Sequence, residues 1–466
     1  MSAVEEVDIL VLGSGEAGKY LAWTMAKAGK RTAVIERGLI GGSCPNIACL
    51  PSKNVIHSAK VVSYFHRAAE FGIKAGDWSV DMAGVRRRKR QMVDGLIQIH
   101  LDRYRDTGVE LILGNGVFIG PKTLEVSLKA GGTRTLRGDK VFLNIGTRAA
   151  IPPIDGLAES KPLTHVEALD LDQLPGHLVV VGGGYVGLEL AQAFRRFGSR
   201  VTILQRGPQI AADEDADVAE ALLQIIRQEG IEVLLNADLR KVDGLSGTNV
   251  RLHVRIDGGD HMVEGTHILV ATGRLPNTEN IGLEKAGIEL DGRGYFKVDH
   301  ALRATAPDVW AMGDCAGGPL FTHVAYDDFR IVRDGLAGHE RSTVERLIPS
   351  CMFSDPQLAH IGLNERGAQQ RGIPYRLAKL PMASVLRTRT ISETQGFMKA
   401  LIGEDDRILG FTALGVEAGE LMAAVQMVMV AKMPYTVVRD AVVAHPTVAE
   451  GLMFLFTSVP SLANMA

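Results

Sequence analysis

The sequence lacks the long apolar runs that membrane-spanning helices need. No stretch approaches roughly 18 consecutive apolar residues. The first apolar run, Val7 to Leu12, contains Asp8 and follows no basic leader, which does not match a secretory signal. We therefore expect a cytoplasmic protein that has no membrane partner.

Charge of one sign is also lacking. The 51 Lys and Arg residues nearly balance the 54 Asp and Glu residues, and the formal net charge is -3. This balance gives no strong field, so we expect no nucleic-acid partner. The basic run Arg86 to Arg90 lies near the start of an amphipathic pattern from Val85 to Asp106, and we interpret it as the solvated face of a long helix.

Aromatic residues and cysteines are scarce, whereas glycine is abundant. Aromatics make up 5% of the chain, while there are 52 glycines, a composition that suits an α/β protein with tight turns. The four cysteines include no C-x-x-C pair, so we expect no metal site. In a reducing compartment, paired cysteines are more often catalytic than structural.

A glycine-rich turn follows the first strand-like run, Ile9 to Leu12. Its glycines have the spacing G-x-G-x-x-G, and they are Gly13, Gly15 and Gly18. Between a strand and a helix, this motif predicts a dinucleotide site with the pyrophosphate at the helix N-terminus. Glu36 ends the next strand-like run, where an acid would bond a ribose hydroxyl.

The same pattern recurs about 170 residues later, after the strand-like run Leu178 to Val181. The glycines of this second copy are Gly182, Gly184 and Gly187. Here the position equivalent to Glu36 holds Gln205, and Arg206 follows it. Loss of the acid and gain of a cation favour NADP(H) at this site, with NAD(H) as the alternative.

Two cysteines, Cys44 and Cys49, lie five positions apart at the start of a predicted helix. They can bridge only if the first helical turn is distorted. A helix N-terminus lowers the pKa of a thiol, which favours the nucleophilic thiolate. Because the pair directly follows a dinucleotide motif, we interpret it as redox-active rather than as two inert, buried cysteines.

The segment around Cys44 and Cys49 resembles the active-site stretch of the pyridine nucleotide-disulfide oxidoreductases. This family includes glutathione reductase, dihydrolipoamide dehydrogenase and mercuric reductase. Four more segments resemble family motifs in the family's order, namely Gly182 to Glu189, Thr272 to Asn277, Trp310 to Cys315 and His445 to Glu450. The resemblance spans nearly the whole chain.

The resemblance implies an α/β fold with two Rossmann-like dinucleotide-binding domains and a C-terminal α+β dimerisation domain. We expect an FAD-binding domain in residues 1–150, an NAD(P)-binding domain in 151–272, the second part of the FAD-binding or central domain in 273–347, and the dimerisation domain in 348–466. The Met-rich stretch Glu417 to Lys432 is predicted to lie in the core or at the subunit interface.

The resemblance also implies a route for electrons, from NADPH through FAD to a Cys44–Cys49 disulfide. Cys49 would face the flavin and Cys44 would attack the substrate. His445, supplied by the other subunit of a homodimer, would protonate the leaving thiol, and Glu450 would orient it.

Further residues take cofactor roles by the same resemblance. Lys53 and Glu189 would pair near the flavin, Tyr185 would gate the flavin face, and Asp314 would bond the ribityl chain. The other residues placed at the cofactors are Gly42, Ser43, Gly146, Gly273, Arg274 and Gly313.

The oxidised substrate is the open point, and we expect a small disulfide or a soft metal ion. No cysteine follows Cys351, whereas mercuric reductases typically carry a C-terminal pair, so efficient mercury reduction is not expected. Ala48 replaces a common family glycine next to the expected flavin contact. His323 and Arg387 to Arg389 are candidate channel residues.

Two alternatives remain open. One is a dihydrolipoamide dehydrogenase that uses NAD, against which Gln205 argues. The other is a flavin-bearing redox sensor or binding protein with low turnover. The remaining cysteines, Cys315 and Cys351, are interpreted as small, buried hydrophobic residues.

Overall fold

The computed structural model describes residues 4–461. The stretch 462–466, which belongs to the predicted dimerisation domain, lies outside the described residues. Within the described part of the chain, no helix is both long and apolar enough to cross a membrane.

The N-terminal 150 residues form most of a six-stranded sheet with helices packed against it. The strands that belong to this sheet are β1 (Val4–Leu12), β2 (Thr32–Glu36), β3 (Glu110–Gly120), β4 (Thr123–Leu128) and β5 (Thr133–Leu143), and the short strand β6 (Thr147–Ala149) lies outside it. The helices are α1 (Glu16–Lys27), α2 (Ser43–Asn46), α3 (Cys49–His66) and α4 (Met82–Thr107). Strand β1 pairs in parallel with β2 and β5, whereas β4 runs antiparallel to β3 and β5.

The next 120 residues build two further sheets, one parallel and one antiparallel. The strands are β7 (His177–Val181), β8 (Arg200–Leu204), β9 (Glu232–Leu234), β10 (Ala237–Leu245), β11 (Asn249–Ile256), β12 (Gly259–Gly265) and β13 (His267–Val270). The helices are α5 (His165–Ala168), α6 (Tyr185–Phe197) and α7 (Ala216–Gln228). The parallel sheet has the order β13-β7-β8-β9, and β10 to β12 form a separate antiparallel sheet.

The chain then returns to the first sheet. This part contains β14 (Arg274–Pro276), α8 (Leu283–Ala286), β15 (Val309–Ala311) and α9 (Thr322–Leu336). Strand β15 pairs in parallel with β5, and β14 pairs with β6. Strands that precede and strands that follow the second sheet in the sequence therefore belong to the same sheet.

The C-terminal part is a five-stranded antiparallel sheet with helices. The strands are β16 (Ser350–Met352), β17 (Gln357–Gly362), β18 (Arg376–Pro381), β19 (Phe397–Ile402) and β20 (Ile408–Gly415), in the order β16-β17-β20-β19-β18. The helices are α10 (Glu365–Gln370), α11 (Leu386–Thr390), α12 (Ala418–Val430), α13 (Thr436–Arg439) and α14 (Glu450–Thr457). The predicted fold class is thus confirmed, while the exact domain boundaries stay predictions.

The Met-rich helix α12 packs one side against the C-terminal sheet. Met422 and Met429 are buried in the core of this part, whereas Met427 is 61% exposed. The helix therefore fills a core with one face and leaves an apolar face uncovered in the single chain.

Each glycine turn lets a helix start directly at the end of a strand. Gly13 and Gly182 have φ values of +96° and +113°, in the region that favours glycine. A Cβ on Gly18 would lie 2.5 Å from the carbonyl oxygen of Gly13, and one on Gly187 would lie 2.0 Å from that of Gly182. Helices α1 and α6 can approach their strands only because these positions lack side chains.

The basic run at the start of α4 is not a purely solvated face. Its five side chains all have partners within the chain: Arg86 with Asp172, Arg87 with Asp81, Arg88 with Asn54, and both Lys89 and Arg90 with Asp170. Lys89 is buried and also donates to the carbonyl of Leu169. The expectation of a solvated face is therefore wrong for Lys89, which ties α4 to the segment after α5.

Partly buried ion pairs connect the three parts of the chain. Lys60 of α3 contacts Asp355 at 2.8 Å and Glu393 at 2.7 Å, and Arg196 of α6 contacts Asp355 at 2.6 Å. Because α3, α6 and the C-terminal loops meet in these contacts, paired charges connect the three parts of the chain beside the site.

Candidate active site

A large cavity of about 1330 Å³ lies where the three parts of the chain meet. The predicted site residues that line it are Gly13, Gly15, Glu36, Gly42, Ser43, Cys44, Cys49, Lys53, Gly146, Tyr185, Glu189, Arg274, Gly313 and Asp314. Those that lie outside its wall are Gly18, Gly182, Gly184, Gly187, Gln205, Arg206, Gly273, His445 and Glu450.

Asn144, at the end of β5, organises the first glycine turn. Its Oδ1 accepts a hydrogen bond from the backbone of Gly18 at 2.9 Å, and its Nδ2 donates to the carbonyl of Met312 at 2.7 Å. A Cβ on Gly15 would lie only 2.6 Å from Asn144 Oδ1. Sequence reasoning missed this residue, although a polar residue after the buried run Val141 to Leu143 was a usable signal.

Glu36 holds the loop that faces the cavity. Oε2 accepts from the backbone and hydroxyl of Ser14, at 2.9 and 2.7 Å, and Oε1 accepts from the backbones of Gly38 and Leu39, at 2.7 and 2.9 Å. The carboxylate therefore shapes the backbone around the position where a ribose would bind.

A polar group lies at the start of the 3₁₀ turn after β15. Thr147 Oγ1 donates to Asp314 Oδ2 at 2.8 Å, and Arg274 Nε donates to Thr147 Oγ1 at 2.6 Å. These contacts join three chain segments that are far apart in sequence, and they fix the Asp314 carboxylate in the cavity wall.

The two cysteines lie on separate helical segments. Cys44 is in α2 and Cys49 is the first residue of α3, with the break at Ala48 (φ −128°, ψ −103°). The predicted distortion of the first turn is thus present. Both cysteines are free thiols, and Cys49 Sγ lies 3.2 Å from Thr322 Oγ1 at the start of α9.

The two thiols have opposite pKa shifts. A hydrogen bond from Cys44 lowers the pKa of Cys49 to about 6, with further lowering by Thr322 and by the charge of Lys53. The same hydrogen bond, together with burial, raises the pKa of Cys44. The arrangement keeps Cys49 as the thiolate and Cys44 as the proton donor.

Lys53 and Glu189 pair across the cavity, with 2.8 Å between Lys53 Nζ and Glu189 Oε2. Glu189 is 5% exposed, and its Oε1 accepts from the backbone of Phe353 at 2.7 Å. Lys53 Nζ also lies 4.8 Å from the centre of the Phe353 ring. The predicted pairing is present and links α3 to α6.

The segment Pro349 to Phe353 contacts residues on two sides of the cavity. His323 Nε2 donates to the Pro349 carbonyl at 2.8 Å, beside Thr322 and the thiols. Ser350 Oγ lies 3.3 Å from the Tyr185 hydroxyl, and Phe353 bonds Glu189. The short segment Pro349 to Phe353 thus contacts residues on both sides of the cavity.

The second glycine turn repeats the backbone contact of the first with a different side chain. Gln205 Oε1 accepts from the backbone of Gly183 at 3.0 Å, just as Glu36 accepts from Ser14. Arg206, the next residue, is exposed at the surface beside the turn.

Only one of the candidate channel residues named here lies in the cavity wall. His323 lines the cavity and stacks on Phe321 with 5.0 Å between ring centres. Arg387 and Arg389 do not line it, and Arg389 Nε donates to the carbonyl of Ala383.

Cys315 is fully buried, as expected. Cys351 is only partly buried and lines the cavity, so the expectation of a buried core residue is wrong for it.

His165 is a further cavity residue that the sequence did not suggest. Its Nε2 is buried without a hydrogen-bond partner among the described residues, and burial lowers the pKa of the imidazole to about 4.

His445 and Glu450 form a pair that one chain does not bring to its own thiols. His445 Nδ1 donates to Glu450 Oε2 at 2.8 Å, and the His445 side chain is 65% exposed while that of Glu450 is 7% exposed. The imidazole therefore faces outward from the chain.

Two dinucleotide-binding turns, a cavity between them and a thiol pair in its wall define a dinucleotide-dependent thiol oxidoreductase. Residues 7–328 match the family model described as pyridine nucleotide-disulphide oxidoreductase, and residues 348–454 match the dimerisation domain of that family. The chain belongs to the pyridine nucleotide-disulfide oxidoreductase family. It is accordingly an FAD-dependent NAD(P)H:disulfide oxidoreductase.

Three curated proteins indicate its place among relatives. It is 36% identical to the probable pyridine nucleotide-disulfide oxidoreductase RclA of Escherichia coli (strain K12), over 97% of this chain and 98% of that protein. It is 34% identical to the mercuric reductase of Streptomyces lividans, over 96% and 94%. It is 30% identical to the dihydrolipoyl dehydrogenase of Geobacillus stearothermophilus, over 96% and 94%.

Solved structures agree with this assignment. The Cu(II) complex of the HOCl-induced flavoprotein disulfide reductase RclA from Escherichia coli superposes with a TM-score of 0.89 at 34% identity, covering 97% of this chain and 99% of that one. The family and fold expected from the sequence are therefore confirmed.

Proposed function

We propose that this chain is a reductase that takes two electrons from NADPH and delivers them, through FAD, to the Cys44–Cys49 pair and then to a small acceptor. The observation that carries the proposal is the position of both thiols in the cavity wall, with Cys49 Sγ 3.2 Å from Thr322 Oγ1; the opposite pKa shifts of the two thiols agree with it. Cys49 is suited to remain a thiolate at the flavin, while Cys44 keeps its proton until a base removes it and is the thiol that attacks the acceptor.

The cavity residues fit FAD. The glycine backbone at Gly13 and Gly15 leaves room for a pyrophosphate at the N-terminus of α1, Glu36 shapes the ribose end, and Asp314 is available to the ribityl chain. Bound flavin supplies the two-electron chemistry that connects a nicotinamide with a thiol pair. Lys53, neutralised in part by Glu189, would place positive charge beside the flavin.

We place His445 and Glu450 of each protomer at the thiols of its partner in a homodimer. Residues 348–454 match the dimerisation domain of the family, and the exposed imidazole is free to enter another chain's cavity. With Nδ1 donating to Glu450, the neutral form of the imidazole has its lone pair on Nε2. It would accept the proton of Cys44 and return it to the leaving thiol.

The acceptor in this proposal is a small disulfide or a soft metal ion. The relative RclA was solved as a Cu(II) complex, and another relative is a mercuric reductase. Thiolates are good ligands for soft metals. Among residues 4–461, the one carboxylate cluster that could hold an ion is Asp215, Asp217 and Glu365, and the Lys399 ammonium already pairs with all three of its carboxylates.

NADPH is the preferred donor in this proposal, because the amide of Gln205 replaces an acid and Arg206 lies exposed beside the turn. A dihydrolipoamide dehydrogenase running toward NAD+ is the second candidate, favoured by the 30% identical dihydrolipoyl dehydrogenase. A redox sensor with low turnover is the third.

The test is an anaerobic titration of the FAD-loaded enzyme with NADPH and with NADH, followed by a panel of acceptors. The panel contains an aromatic disulfide, lipoamide, Cu(II), Hg(II) and a quinone. The proposal expects faster flavin reduction by NADPH, a long-wavelength thiolate band that Cys49→Ser abolishes, and turnover with a disulfide or a metal ion. A band that survives in Cys49→Ser contradicts the proposed path. Fast oxidation of dihydrolipoamide by NAD+ supports the second candidate, and negligible turnover with every acceptor supports the third.

A further inference from the structure

Tyr185, the first residue of α6, is held at its hydroxyl by two other chain segments. The hydroxyl oxygen lies 3.2 Å from Glu214 Oε1 and 3.3 Å from Ser350 Oγ. Glu214 belongs to the loop before α7, and Ser350 begins β16 in the C-terminal part. The ring thus lies in the cavity wall with its free end fixed from two directions.

Glu214 is built into the protein interior. The residue is 5% exposed, and its backbone carbonyl accepts a hydrogen bond from Gln209 Nε2 at 3.1 Å. A buried carboxyl group is costly unless it has hydrogen-bond partners, so its contact with the tyrosine is worth more than a surface contact would be. Burial raises the pKa of this carboxyl group and also raises that of the Tyr185 hydroxyl.

Ser350 adds a second contact from a different direction. Its Oγ also lies 3.5 Å from the carbonyl of His360, on the neighbouring strand β17. A tyrosine hydroxyl has one hydrogen to donate and lone pairs to accept with. Tyr185 is the donor toward both Glu214 Oε1 and Ser350 Oγ, so its one hydrogen is shared between two acceptors, while Ser350 donates to His360; the two acceptors together fix the direction of the ring.

We propose that Glu214 and Ser350 are positioning residues that hold the Tyr185 ring in its resting place and set the cost of moving it when the nicotinamide enters. The inference rests on the proposed function and on the role that the family resemblance implies for Tyr185, that of a ring that gates the flavin face. The tether makes the closed gate the ground state. Part of the binding energy of the nicotinamide is spent on breaking the hydroxyl contacts.

Removal of the hydroxyl should therefore tighten nicotinamide binding. Tyr185→Phe keeps the ring and loses both contacts, and we expect the Kd of the redox-inert tetrahydro form of NADPH to fall about fivefold, as loss of a net hydrogen bond implies. The Kd is measured by calorimetry on the FAD-loaded enzyme, so the readout does not depend on turnover. Tyr64→Phe, an exposed tyrosine of α3, is the matched control and should leave the Kd unchanged.

A double-mutant cycle tests whether Glu214 acts through the tyrosine. Glu214→Ala should lower the Kd in the wild-type background and have no added effect in Tyr185→Phe. Glu214→Gln keeps an acceptor oxygen and should restore most of the wild-type value. Ser350→Ala should give a smaller change that also disappears in the Tyr185→Phe background.

The outcomes separate this inference from the proposed function. An unchanged Kd in Tyr185→Phe, or an effect of Glu214→Ala that persists without the hydroxyl, overturns the tether. If Tyr185→Ala changes the Kd and Tyr185→Phe does not, the ring is a gate but the tether is refuted. If neither NADPH nor NADH reduces the wild-type flavin, the proposed function itself fails.

Discussion

Thr322 Oγ1 lies 3.2 Å from Cys49 Sγ, and this contact joins the start of α9 to the first residue of α3. A hydroxyl group that donates to a thiolate stabilises its charged form. Together with the hydrogen bond from Cys44, which is the larger effect, Thr322 lowers the pKa of Cys49. The threonine therefore belongs to the thiol site, although no sequence motif marks it.

Thr322→Val should raise the pKa of Cys49 by about one unit, because a hydrogen bond to a charged group is worth about 1.5 kcal/mol. The measurement is a pH titration of the long-wavelength absorbance of the two-electron-reduced enzyme. Thr107→Val is the control, since its hydroxyl bonds the carbonyl of Arg103 at the end of α4. A midpoint that does not move would show that the threonine has no electrostatic role.

The same absorbance should depend on pH in a definite direction. The pKa of Cys49 is lowered from 9.0 to about 6, so the thiolate band should persist above pH 6 and fade as the pH drops below it. Cys44→Ala removes the strongest stabilising contact, and its midpoint should rise toward 9; in this variant the band is read with the flavin oxidised, because there is no disulfide to take up two electrons. The prediction fails if the midpoint of Cys44→Ala stays at or below that of the wild type.

His445→Ala should slow transfer from the thiols to a disulfide acceptor by about 100-fold to 10,000-fold, the usual contribution of a general acid-base group. Reduction of the flavin by NADPH should remain nearly intact. Stopped-flow measurement of the two half-reactions separates these steps. His339→Ala, on the loop after α9, serves as a control for loss of a histidine. Equal slowing of both half-reactions would refute the acid-base role.

Arg206→Gln should lower kcat/KM for NADPH by about tenfold, since the side chain would lose one charge-assisted contact with a 2′-phosphate. The value for NADH should stay within about twofold, because NADH lacks that phosphate. Steady-state kinetics with both donors provides the measurement, and Arg200→Gln at the start of β8 is the control. A parallel loss with both donors would show that Arg206 does not discriminate between them.

Lys399→Met should destabilise the protein by about 3–5 kcal/mol, the cost of breaking a buried ion cluster. The Lys399 side chain is fully buried, and its ammonium lies 2.7–2.8 Å from the carboxylates of Asp215, Asp217 and Glu365. Urea unfolding followed by fluorescence measures the change. Lys379→Met removes a partly exposed partner of Asp217 and should cost less than about 1 kcal/mol. Similar losses for both variants would contradict the burial argument.

The sequence predicted those parts of the molecule that depend on local pattern. The two glycine turns, the cysteine pair and the Lys53–Glu189 pair all lie in or next to segments with a recognisable spacing, and the fold class follows from their order. Asn144, Thr322 and Glu214 could not be found in this way, because their roles depend on contacts between segments far apart in the chain. Their residue types are common at strand ends and in loops, so spacing alone does not distinguish them.

The local sequence pattern also did not predict which side chains are buried. Lys89 belongs to a run of five basic residues that reads as a solvated face, yet it packs inward against Asp170 because α4 crosses the segment after α5. Cys351 has the same residue type as the fully buried Cys315, but it lies in strand β16, which borders the cavity. In both cases the neighbours that decide exposure come from another part of the chain.

The short stretch Pro349 to Phe353 limits how this enzyme can be altered, whether by evolution or by design. Its backbone supports His323 next to the thiols and Glu189 on the other side of the cavity, and its Ser350 contacts Tyr185. A substitution that reshapes this stretch to admit a new acceptor would also disturb the handling of the nicotinamide. New acceptor specificity should therefore arise more easily from the loops outside this stretch, where the two tasks do not share a single piece of backbone.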